Sequence, residues 1–192
     1  MSTLCTADDV KTYGGITTTA EDGLIAALIP QASGQIEQYC NRTFLQGTYT
    51  ETRNGRDTAT LYLRQQPIVS VQSLTIEGVT VQPSPNTQTY GYVFDEAQIY
   101  IRHARGPFGQ PDRFVRGVQN IVVQYTAGFE AIPDDIVQAC VELVMWKRAK
   151  RNRIDKSSET LGSQQTQAYV MSDMPASVKA ALSSYRIPMV PA

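Results

Sequence analysis

Apolar and polar positions follow two periods along this chain, helical at both ends and close to two in the middle. Thr6 precedes Asp9 with the spacing of a capping box, and Gly14-Gly15 closes the stretch that follows, so a short helix is expected between them. Thr19 and Asp22 repeat the device. Leu24, Leu28, Ala32, Ile36 and Cys40 then recur every four residues, the apolar stripe of a second helix. Pro30 lies inside that stripe and predicts a kink, or two helices meeting there. Asn41-Arg42 ends the segment.

From Thr48 the pattern shortens. Thr48, Tyr49, Thr50 and Thr52 favour an extended chain, and Asn54-Gly55 carries hairpin-turn chemistry. Leu61 to Leu63, Val69 to Ile76, Val79 to Val81, Tyr90 to Phe94, Ile99 to Ile101 and Ile121 to Tyr125 follow as strand candidates, punctuated by Gly and Pro. Between two of them, Arg102, Arg105, Arg113 and Arg116 sit among Gly and Pro, which predicts a basic, irregular loop. Asp95-Glu96 reads as a turn.

Helical spacing returns at Pro133-Asp134, a first-turn proline and acid, and the helix should run to about Arg151. Ile136, Cys140, Leu143 and Val144 occupy one face of it, and the same face continues as Lys147 and Arg151. A helix buried along its whole length could not carry those charges unpaired, so its last turns are expected to project beyond the subunit body. Arg148, Lys150, Arg153 and Lys156 extend the cluster, opposed only by Asp155. DNA or an acidic protein surface is its expected partner. The polar stretch Asp155 to Gln167 reads as a loop or flexible arm. Pro175 opens a last short helix through Val178, Leu182 and Tyr185, and Pro188 and Pro191 predict an extended tail. The fold class is therefore α+β: a helical bundle built from residues 1–46 and 126–192, with an antiparallel β region, 47–125, inserted.

Composition narrows the functions open to such a fold. Seventeen Lys and Arg against 18 Asp and Glu leave a net charge of -1, which argues against a globally basic nucleic-acid binder. Thr and Gln, at 19 and 17, together match the charged residues in number, so the surface is polar but weakly charged. Such a surface suits a protein packed against others. Cys5, Cys40 and Cys140 are odd in number and widely spaced, indicating buried free thiols rather than a disulfide framework or zinc site. A reducing assembly environment fits them. The longest apolar run, Leu24 to Ile29, falls far short of the roughly 20 residues of a membrane span, and the first residues lack a signal peptide. A soluble protein with no membrane partner is expected. His103 is the single histidine, and Arg102 and Arg105 would disfavour the imidazolium that a catalytic triad must form. No nucleotide-cradling, metalloprotease or nucleophile-elbow motif is present in the sequence. An enzyme is not expected, nor a metal or cofactor.

Three sets of residues carry a resemblance. Thr6 to Lys11 with Ile36 to Phe44 form the first, and Tyr125 to Gly128, Ile132 to Ile136 and Glu142 to Arg148 the second. Ser157 to Gly162, Met174 to Lys179 and Tyr185-Arg186 form the third. In this order and spacing they resemble the head–tail connector (adaptor) proteins of tailed bacteriophages. The resemblance implies a homo-oligomeric ring, twelvefold to match the portal, docked on the portal in the virion neck after DNA packaging. Made in the host cytoplasm, the ring would extend the DNA channel around the passing duplex and offer a platform to the next neck or tail protein. It also implies a C-terminal portal contact, with Tyr185, Arg186 and Ile187 as anchors. The β region departs from the pattern, since compact members of that family are nearly all helix. Two alternatives stay open: another neck component, such as a head-closure or tail-completion factor, and a non-specific DNA-binding packaging accessory using the basic runs.

Overall fold

The computed structural model describes residues 3–86, 89–102, 112–151, 158–161, 165–168 and 173–187. The chain divides into two compact units, Met1–Asn41 with Ile132–Arg186, and Arg42–Ala131 with Ile187–Ala192. Helices and antiparallel sheets make it an α+β protein.

The first unit holds α1 (Ala7–Gly14), α2 (Asp22–Cys40), α3 (Asp134–Lys150) and α4 (Ala176–Leu182), which continues as a 3-10 turn over Ser183–Tyr185. The capping box of α1 is complete: Asp9 N donates to Thr6 Oγ1 at 3.2 Å, and Thr6 N donates to Asp9 Oδ2 at 2.8 Å. The second expected box does not form. Glu21 is the N-cap of α2 and makes no side-chain capping bond, because Glu21 and Asp22 are drawn into ion pairs with Arg148 and Lys11. Nor does Pro30 divide α2, which is one helix. Pro30 lacks the N–H that would bond the Ala26 carbonyl, and Ala26 is exposed, so water can take that place. The buried stripe of α2 is Ile25, Ile29, Ala32, Ser33, Ile36 and Cys40. Strict steps of four drift around a helix of 3.6 residues per turn, which is why Leu24 and Leu28 fall off the core face and stay half-buried. α3 packs against α1, α2 and α4 and buries Ile136, Ala139, Cys140, Val141, Leu143 and Val144, and α4 adds Val178 and Leu182.

Also in this unit, β8 (Ser158–Leu161) and β9 (Gln165–Ala168) pair antiparallel, where the sequence suggested a loop or flexible arm.

The second unit is two antiparallel sheets over one core. β1 (Gly47–Gly55), β7 (Gly117–Ala127), β3 (Ile68–Ile76) and β4 (Val79–Val81) form the sheet ordered β1-β7-β3-β4. β2 (Thr60–Tyr62), β6 (Gln98–Arg102) and β5 (Gly91–Phe94) form the other, ordered β2-β6-β5. Leu61, Leu74, Ile76, Ile99, Phe114, Ile121, Val123 and Tyr125 meet between them. Asn54-Gly55 is not a hairpin turn. It ends β1, where Gln119 N donates to Asn54 Oδ1 and Gly55 N donates to Asn120 Oδ1. A Cβ on Gly55 would lie 1.6 Å from the Val115 carbonyl oxygen, so the glycine serves a close crossing of two backbones. The outer face of the four-stranded sheet runs Thr48–Thr126–Ser70, Thr50–Gln124–Ser73 and Thr52–Val122–Thr75–Thr80 across the strands. This exposed or half-buried face carries no charged residue, and it is one place where the Thr and Gln of the composition go.

Candidate functional site

The end of α3 gathers the chemistry that the sequence singled out. Burial along this helix stops at Val144, and Trp146, Lys147, Arg148 and Lys150 are half-buried while Arg151 is exposed. Cations in the last turn also suit the helix dipole. They do not act as one cluster. Arg148 turns to Glu21, with Nε and Nη2 at 2.7 and 2.5 Å from Oε2. Lys150 Nζ sits 4.6 Å from the Trp146 ring centroid, a cation–π contact. Lys147, Lys150 and Arg151 instead line a groove of about 530 Å³ with Leu24, Leu28, Gln31, Gln35, Gln38, Trp146 and Asp173. Gln35 Nε2 donates to the Asp173 carbonyl at 2.9 Å, tying that residue to α2. The lining therefore joins three apolar side chains with three glutamines, three cations and one acid. No group of His, Cys, Asp and Glu among the described residues could hold a metal ion.

The sequence model of head completion proteins matches residues 3–188, nearly the whole chain. The chain belongs to the head completion protein family. No curated protein matches it. Solved structures share its fold. The neck of a native GTA particle computed with C12 symmetry contains a chain at TM-score 0.52 and 18% identity, over 88% of this chain and 84% of that one. The virion of a native gene transfer agent particle gives 0.53 and 18%, over 91% and 82%. The neck of an empty GTA particle with C6 symmetry gives 0.52 and 19%, over 92% and 85%.

In this head completion protein the expected C-terminal anchors have internal partners. Tyr185 Oη donates to the Asp135 carboxylate at 2.7 and 2.9 Å, and the Arg186 guanidinium lies 5.6 Å from the Tyr39 ring centroid. Ile187 is buried. The expected basic loop belongs to the other unit. Arg102 ends β6, Arg113 faces Asp57 and Asp112 at 3.4 and 3.6 Å, and Arg116 is exposed. Arg105, His103, Arg153 and Lys156 lie outside the described residues.

Several features escape a reading by sequence spacing. Arg42 is 9% exposed and its guanidinium stands 5.1 Å from the centroids of both Phe44 and Phe129, donating also to the Gln66 carbonyl. Tyr125 Oη donates to Glu51, and burial followed by this bond pushes its phenol above the ordinary tyrosine value. Cys5 Sγ lies 3.1 Å from Cys140 Sγ. That bond, and then burial, push the Cys5 thiol upward, so it keeps its proton. Nothing in the separations of these residues along the chain announces the contacts.

Proposed function

We propose that this head completion protein is a structural component of a virion neck. Identical copies form a ring on the portal, extend the DNA channel, and give the next neck or tail protein a surface on which to dock. The observation that carries the reading is the reach of the family match, 3–188, which includes both the helical and the β unit. The fold it shares with chains of a C12-symmetric neck supports a ring, because cyclic symmetry places equivalent copies around one axis. A closed ring needs heterologous contacts, so each copy presents two unlike surfaces, and the groove beside α3 supplies one of them. Localisation at the head–tail junction follows.

The cations of the groove serve a protein partner. Phosphates would use Lys147, Lys150 and Arg151 but gain nothing from Leu24, Leu28 and Trp146. DNA contacts, from Arg102, Arg105, Arg113, Arg116, Arg153 or Lys156, are few and sequence-independent, since a ring that gripped the duplex would obstruct its exit. The C-terminal segment around Tyr185, Arg186 and Ile187 is assigned to the portal, with Tyr185 and Arg186 bracing its root.

Removing the gene tests the reading. The expected result is filled heads without tails that lose their DNA and are completed by adding the purified protein. Tailed, infectious particles made in its absence would overturn it.

A further inference from the structure

We propose that the groove between α2 and α3 of one copy receives the β5–β6 tip, Phe94-Asp95-Glu96, of the next copy in the ring. The inference rests on the ring reading above and names the contact that would close it. The groove asks for an occupant with an apolar anchor and negative charge. Leu24, Leu28 and Trp146 offer apolar surface, Lys147, Lys150 and Arg151 line it with three glutamines, and Asp173 is the single acid among the described lining residues. Among the described residues the large exposed hydrophobics are Tyr13, Leu45, Tyr62, Val69, Phe94, Val118 and Val122. Phe94 alone of these adjoins an acidic residue, and two follow it, both exposed.

The tip is also held in shape before it binds. Asp95 Oδ1 accepts from Ala97 N and Gln98 N at 2.8 and 2.9 Å, Tyr100 Oη donates to Oδ2 at 2.7 Å, and Asp95 N donates to the Gln98 carbonyl at 3.0 Å. A preorganised loop loses little freedom on docking. Aromatic residues commonly anchor interfaces. Tip and groove are different surfaces, so each copy gives one and takes one, and the contact repeats until the ring closes.

The test places one thiol on each side of the contact. Particles are assembled with the full chain carrying Glu96→Cys and Lys147→Cys, and mildly oxidised with copper-phenanthroline. The expected result is a ladder of covalent oligomers up to the full ring, with neither single variant giving any. A ring visible in the necks by electron cryo-microscopy but no ladder would overturn the groove assignment and leave the ring reading standing. Necks without a ring of this chain would overturn both. Charge reversal gives a second measurement. Lys147→Glu and Glu96→Lys should each lower incorporation into particles about tenfold, because like charges then face each other, and the two together should restore it. If both single variants fold by circular dichroism and the pair does not recover, the proposal fails. It also fails if Lys147→Glu incorporates normally and loses only DNA retention, which would give the groove to the duplex.

Discussion

Arg148 in the last turn of α3 donates through Nε to Glu21 at the start of α2, at 2.7 Å. One cation of a basic run is thereby committed to the helical unit, while Lys147 beside it lines the groove. The two kinds of cation should respond differently to substitution. Arg148→Gln should cost about 0.5–1 kcal/mol, the upper range for a partly exposed ion pair. Lys147→Gln should leave the melting temperature nearly unchanged, yet lower assembly on portal. Thermal melts of both variants beside a particle incorporation assay check this. Equal losses of stability would remove the distinction.

The cap of α1 gives a stability prediction with a pH signature. Thr6→Ala should cost about 1 kcal/mol in urea unfolding at pH 7. The Thr6 hydroxyl, and then its backbone N–H, hold the Asp9 carboxyl below the usual carboxylate range. A lowered folded value means the contribution is present above the unfolded value of about 3.9 and is lost as pH falls through the folded one. The gap between parent and variant should therefore narrow below pH 4. A gap constant down to pH 2 would contradict the part assigned to the Asp9 carboxylate.

Gly55→Ala should be among the most damaging small substitutions in the β unit, costing more than about 2 kcal/mol, because its Cβ has no room beside the Val115 carbonyl. Denaturant unfolding measures it. The same residue shows where sequence reading stops. Asn-Gly has the composition of a hairpin turn, but here β7 takes both residues, Gly55 pairing with Gly117 and Asn54 Oδ1 accepting from Gln119 N. Local signals fared better: the Thr6–Asp9 box and the apolar face of α3 are set within a few turns of chain, and both are in the fold. The groove was half legible. The helical period singles out Lys147 and Arg151, whereas Trp146 shares a groove with Leu24 and Leu28 only through tertiary packing that no spacing encodes.

The three cysteines are all buried, and none is joined in a disulfide. Ellman's reagent should find essentially no reactive thiol in the native chain and three after denaturation. Rapid labelling of the native protein would place a thiol at the surface, against the packing of Cys5 on Cys140 and of Cys40 within α2.

Electron cryo-microscopy of complete particles tests the central claim most directly. The account predicts a closed ring of this chain between the portal and the next neck component, with β5–β6 of each copy against α2 and α3 of its neighbour. Complete particles whose necks lack the chain, or that hold it only as scattered copies inside the head, would contradict it.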